Sequence, residues 1–127
     1  MNNYEKRMNR EIQSIIGLHE YEEVHIEEYP LAVSRQILKI YLEWACQPQN
    51  IAAIELGRNK IRKISSIWLN EHFLEIAQEA IDFSDEWEFR RLIELVIDVV
   101  PNLKKDIFKL VAHADNMEII EVIEDFQ

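Results

Sequence analysis

Along this chain the apolar residues return every three or four positions almost from end to end, which is the spacing of one buried helical face. Tyr4, Met8, Ile12, Ile15 and Ile16 set out a first amphipathic helix that stops near Gly17. Residues 18 to 30, "LHEYEEVHIEEYP", break the rhythm. They hold five glutamates, and Val24 and Ile26 alternate, which predicts a loop with a brief extended piece. Pro30 suits the first turn of a second helix, with Val33, Ile37, Ile40, Tyr41 and Trp44 on one face. Pro48 ends that helix and opens a third over about residues 49 to 64, bent at Gly57. Leu69, Phe73, Ile76, Ala77 and Ala80 mark the next, followed by a stripe from Phe89 through Leu92, Ile93 and Val96 to Val99 and Val100. Pro101 breaks the chain. Leu103, Ile107, Leu110, Val111 and Ala114 then give one more face, and Ile119, Val122, Ile123 and Phe126 the last. That is about seven helices on short connections with no strand pair, so the predicted class is all-α.

Two helix starts repeat one another. "DEWEFRRLIELV", residues 85 to 96, and "DNMEIIEVIEDF", residues 115 to 126, match at an offset of 30. Asp85 and Asp115 stand where an N-cap accepts an orphan backbone N–H, and Glu88 and Glu118 stand where a carboxylate reaches back to the cap's own N–H. Phe89, Leu92, Ile93 and Val96 then match Ile119, Val122, Ile123 and Phe126. A third copy fits upstream in "KIRKISSIW", residues 60 to 68, where Ile61, Ile64 and Trp68 fall under Phe89, Leu92 and Val96, with Gly57 in the place of Asp85. Residues 57 to 126 thus read as two and a half helix–turn–helix units of about 30 residues.

This pattern resembles the HEAT-like α-helical repeats, particularly the short bacterial variety, over about residues 57 to 127, and the motif that carries the likeness is "DEWEFR", Asp85 to Arg90. The resemblance implies antiparallel helical hairpins stacked as a short right-handed solenoid. It also implies that Asp85 and Arg90 form a ladder bonding neighbouring repeats; the last unit has Ile120 where Arg90 stands. Residues 1 to 48 lie outside it and are expected to form a capping helical hairpin, all within a single domain of 1–127.

Composition narrows the function. A chain of 127 residues with 48% hydrophobic content can bury a real core without a disulfide or a metal. The lone Cys46 forms no internal disulfide, which points to a cytoplasmic protein. "MNNYEKRMNREIQSII" is no secretory leader, and no apolar run would span a membrane. Gly17 and Gly57 stand too far apart to frame a phosphate-cradling loop. The net charge of −10 lies entirely in the second half: residues 1 to 65 hold 9 acids and 9 bases, residues 66 to 127 hold 15 acids and 5 bases. Such a surface repels nucleic acid and anionic lipid and attracts a basic protein partner.

Candidate chemistry is sparse. "HEYEEVH", His19 to His25, puts His19 and Glu23 a helical turn apart but is not HExxH. His72 and His113 have no nucleophile or carboxylate constellation nearby in sequence. Cys46 follows "YLEWA" and reads as a small buried thiol. Arg58, Lys60, Arg62 and Lys63 form a basic cluster that fits pairing with the acidic half, in the same molecule or a second one. Trp87 either packs against Phe83 or stands partly exposed as a binding anchor, with Arg91, Glu94 and Asp98 along its own face. The acids Glu121, Glu124 and Asp125 sit at a helix end where negative charge opposes the dipole.

Three functions follow. The first expectation is a non-enzymatic interaction module with an acidic binding face drawn from Trp87, Arg91, Glu94, Asp98, Glu121 and Glu124, without cofactor, and in one form an immunity-type inhibitor of a basic toxin. The second is a small helical metal-binding protein or enzyme built on His19 to Glu28. The third is a structural homodimer that sets the basic-clustered half against the acidic half.

Overall fold

The computed structural model of the chain describes residues 2–17 and 23–127. Among the described residues all regular structure is helical: seven α-helices, two short 3-10 turns and no strand. Each start has a visible cause. Asn2 accepts the Glu5 backbone N–H at 2.8 Å and opens α1, Asn3–Ile16, which Gly17 closes in the left-handed conformation (φ +63°) with its N–H on the Gln13 carbonyl. Where an extended piece was expected, Ile26–Glu28 forms a 3-10 turn that buries Ile26. The buried Ser34 hydroxyl donates to the Ile26 carbonyl and fastens that turn. Pro30 precedes the first residue of α2, Leu31–Ala45. Asn50, at φ +79°, accepts the Ala53 N–H and opens α3, Ile51–Arg62. Ser65 caps α4, Ser66–Ala80, and Asp85 caps α5, Glu86–Val99. The 3-10 turn Pro101–Leu103 leads into α6, Lys104–Leu110, and Asn116 opens α7, Met117–Phe126.

α2 is the hub. It packs against α1, α3, α4 and α5, and so buries more than one stripe: Ile37, Tyr41 and Trp44, and also Ser34, Leu38, Leu42 and Ala45. Val33 and Ile40, expected on the core face, are only half-buried. Gly57 has a different role from the expected bend. A Cβ built there would lie 2.5 Å from the Ala45 nitrogen and 2.8 Å from the Tyr41 carbonyl oxygen. The missing side chain therefore lets the α2 and α3 backbones touch.

Two further readings are corrected. Residues 60 to 68 do not form a third copy of the α5 start, because Ser65 begins a new helix and splits them between the end of α3 and the start of α4. Leu110 is 48% exposed, because α6 stops there and its last turn leaves the core. Elsewhere the apolar pattern holds: Phe89, Leu92, Ile93 and Val96, and likewise Ile119 and Val122, are buried in one continuous core.

Candidate interaction surface

Charged side chains link the helices in a regular way. Arg58 Nη2 donates to Glu94 Oε1 at 2.6 Å, and Arg62 Nε donates to Asp98 Oδ2 at 2.6 Å. Both pairs span 36 positions, so α3 and α5 run in the same direction in one register. On α2, Arg35 reaches Glu75 and Glu79 of α4 at 2.9 and 3.0 Å, and Lys39 reaches Glu79 at 2.7 Å. Arg90 of α5 reaches Asp125 of α7 at 2.9 Å. In each case the base stands on the earlier helix and the acid on the later one. That polarity accounts for much of the charge difference between the two halves of the sequence. The cluster of Arg58, Arg62 and Lys63 finds its acids within this molecule, Lys63 on Glu23 at 3.2 Å. Lys60, in the same cluster, has no ion pair among the described residues.

Three of the expected partner-binding residues are therefore engaged internally. Arg91 holds Glu94 at 3.0 Å and the Pro48 carbonyl at 3.2 Å, Arg58 holds the same Glu94, and Asp98 is held by Arg62. Burial alone would push the Glu94 carboxyl up, but the hydrogen bonds from Arg58 and Arg91 outweigh it and hold the group below its ordinary range.

The two repeated helix starts are built differently. Asp85 Oδ1 accepts the Glu88 N–H at 3.0 Å, as an N-cap should. Glu88 does not return to Asp85, whose N–H bonds the Asp82 carbonyl. At α7 the cap is Asn116, not Asp115. Its Oδ1 accepts the Glu118 N–H at 2.9 Å while its Nδ2 donates to the Ser84 carbonyl at 3.1 Å. The amide accepts for the cap and donates across to the α5 approach at once, which an ionised carboxylate at that position could not do. Asp85 works within its own helix, and Arg90 provides the bond between neighbouring helices.

Trp87 is 48% exposed, and the guanidinium carbons of Arg90 and Arg91 each lie 5.8 Å from its ring. The Phe83 ring stacks on Phe89 at 5.6 Å, and among the described residues it makes no ring contact with Trp87. The α3–α5 register places Ile51, 78% exposed, level with Trp87.

Three further acids that no local pattern announces, Glu11 on α1, Glu43 on α2 and Glu88 on α5, have no ion pair among the described residues; Glu11 accepts the Trp44 indole N–H at 3.4 Å. Burial and the charge of Glu11 push the Glu43 carboxyl up, opposed by Lys39. Burial pushes Glu88 up as well, with Asp85, Asp82 and Glu43 adding to it. The three come from helices far apart in sequence, so only the fold brings them together.

The other candidates stay separate. Cys46 is 1% exposed, and burial pushes its thiol to about 12, which removes it as a nucleophile at neutral pH. His72 leans on Trp68 and lies 3.6 Å from Glu71, and His113 is exposed. His19 lies outside the described residues, as do residues 20 to 22 of the "HEYEEVH" segment, and His25 is exposed. Among the described residues no group of three or more His, Cys, Asp or Glu side chains is arranged to hold a metal ion, and no helix is long and apolar enough to cross a membrane. Glu121 and Glu124 are exposed on α7 and have no ion pair among the described residues. The unfavourable charge at the end of that helix is offset by Lys104, whose Nζ donates to the Phe126 carbonyl at 2.8 Å. Comparison with known proteins finds no matching family model, no matching curated protein and no matching solved structure, so geometry alone carries the functional reading.

Proposed function

We propose that the chain is a short HEAT-like solenoid acting as a non-enzymatic protein-interaction module that receives a basic segment of another protein on an acidic face. The parallel registers of α2 with α4 and of α3 with α5 support the stacked arrangement. The observation that carries the binding reading is that Glu11, Glu43 and Glu88 have no ion pair among the described residues, Glu43 feeling the charge of Glu11 and Glu88 that of Glu43, with Trp87 half-exposed on the helix that carries Glu88. Like charges held together are relieved by a cation docking between them, and a tryptophan at the rim supplies apolar area. The acidic face expected from Glu94 and Asp98 thus moves to these residues. An immunity-type inhibitor of a basic toxin is the specific form this reading takes.

The test is capture from the native lysate at low salt with a stepwise salt wash, using three proteins: the natural chain, Glu43→Gln/Glu88→Gln and Trp87→Ala. A basic protein released from the natural chain at one salt step, and not retained by either variant, supports the reading. Retention that survives both variants rules out this face, and no basic protein retained at low salt rules out the function.

A further inference from the structure

At the far end of the helix array, between α6 and α7, lies a cleft of about 690 Å³. Phe108, Ile120 and Ile123 give it an apolar floor, and Lys105, Lys109 and Glu124 stand on its walls. The lysines are four residues apart. That is the spacing of Arg35 and Lys39 on α2 and of Arg58 and Arg62 on α3, and each of those pairs is answered by two acids four apart on the helix after next. Among the described residues Lys105 and Lys109 are answered by none: both are exposed and make no ion pair there. Glu124 stands on the opposite wall, and Glu121, one turn back on α7, lies beside the cleft and does not line it; both are exposed and have no ion pair among the described residues.

We infer that this cleft is a twofold interface, and that its occupant is α7 of a second copy of the chain. The face carries both halves of the pairing it needs. A twofold axis through the cleft lays α6 of each copy along α7 of the other. It sets Lys105 and Lys109 against Glu121 and Glu124 twice over and closes the apolar floors on one another. A self-complementary patch of this kind gives a closed dimer. It differs from the dimer expected from charge along the sequence, because Arg58, Arg62 and Lys63 of that basic cluster are engaged internally. α1 also has bases four apart, Lys6 and Arg10, but the hollow beside them is lined by Asn9 and Gln13 and has no apolar floor.

Sedimentation velocity on the full chain tests this directly, at low salt and at about 1 M salt, where the screening length falls to about 3 Å. The natural chain sediments as a dimer at low salt and shifts toward monomer at high salt. Lys105→Glu/Lys109→Glu and Glu121→Lys/Glu124→Lys each weaken the dimer at least about tenfold, and an equimolar mixture of the two variants restores it, because every contact is then between opposite charges. All four side chains are exposed and have no ion pair among the described residues, so the variants keep the monomer fold, which circular dichroism verifies. A natural chain that stays monomeric at low salt overturns the inference. So does a dimer that survives both charge reversals, a mixture that fails to reassociate, or assembly that grows beyond two.

Discussion

Arg58 and Glu94 meet at 2.6 Å across the α3–α5 seam, and Arg62 and Asp98 repeat that contact one turn further along both helices. The two bonds have the same length but different surroundings. The Arg58 and Glu94 side chains are 16% and 27% exposed, against 39% and 37% for Arg62 and Asp98. Screening by water weakens the second pair more than the first. A double-mutant cycle to alanine should give a coupling of about 1 kcal/mol for Arg58–Glu94 and below about 0.5 kcal/mol for Arg62–Asp98. Urea unfolding of the four single and two double variants measures both. Equal couplings would contradict the burial argument.

Gly57→Ala separates helix propensity from packing. In an open helix the change would stabilise by about 1 kcal/mol. Here the new methyl would stand 2.5 Å from a backbone nitrogen of α2, and backbone at a helix crossing yields less readily than a side chain. The expected result is a loss of about 2 to 4 kcal/mol in urea unfolding. A gain would mean that α2 and α3 are not in backbone contact.

The start of α7 distinguishes two neighbouring residues. Asn116→Ala removes the cap and the link to Ser84 and should cost about 1 to 2 kcal/mol. Asp115→Ala, one residue ahead of that cap, should stay within about 0.5 kcal/mol. Asn116→Asp should fall between them, keeping the acceptor and losing the donor. A larger effect at Asp115 would return the cap to the position that the repeat suggested.

These cases show which kind of information a single sequence carries. Apolar spacing located the seven helices, because a helix hides one face whatever it packs against. Asp85 was legible as a cap because capping is decided within four residues. The same rule erred at Asp115, since the choice of Asn116 depends on the Ser84 carbonyl 32 positions away. Gly57 was taken for a bend because what makes it necessary, the backbone at Tyr41 and Ala45, belongs to another helix. The candidate face suffered most. Glu94 and Asp98 looked free along their own helix and proved to be held by α3, whereas Glu11, Glu43 and Glu88 share nothing in sequence and meet only in the fold.

Cys46 should be chemically silent in the native protein. Its thiol is buried and pushed to about 12, so almost none is thiolate at pH 8. Labelling with an aromatic disulfide reagent should follow the rate of global or local opening and become immediate in denaturant. Rapid stoichiometric labelling of folded protein would place the thiol at the surface.

The acid row gives stability a pH optimum. Glu43 binds its proton more tightly in the folded chain than in the unfolded one, because burial and Glu11 raise it above the ordinary 4.5. Its contribution therefore falls as pH rises from the ordinary value through the folded one, and the full penalty is present above both. Glu88 acts in the same sense. Glu94 acts oppositely: held below 4.5, it stabilises above the ordinary value and loses that contribution as pH falls through the folded one. Stability should peak a little above the ordinary carboxylate range and decline on both sides. Glu43→Gln should remove part of the neutral-side decline and raise Tm at pH 7, by an amount worth less than about 1 kcal/mol since the group is largely hydrated. Glu94→Gln should leave that decline in place and flatten the acid side. Thermal unfolding between about pH 3 and 8 reads both arms. If Tm at pH 7 is unchanged in Glu43→Gln, water already screens the row and a basic partner has no repulsion there to relieve.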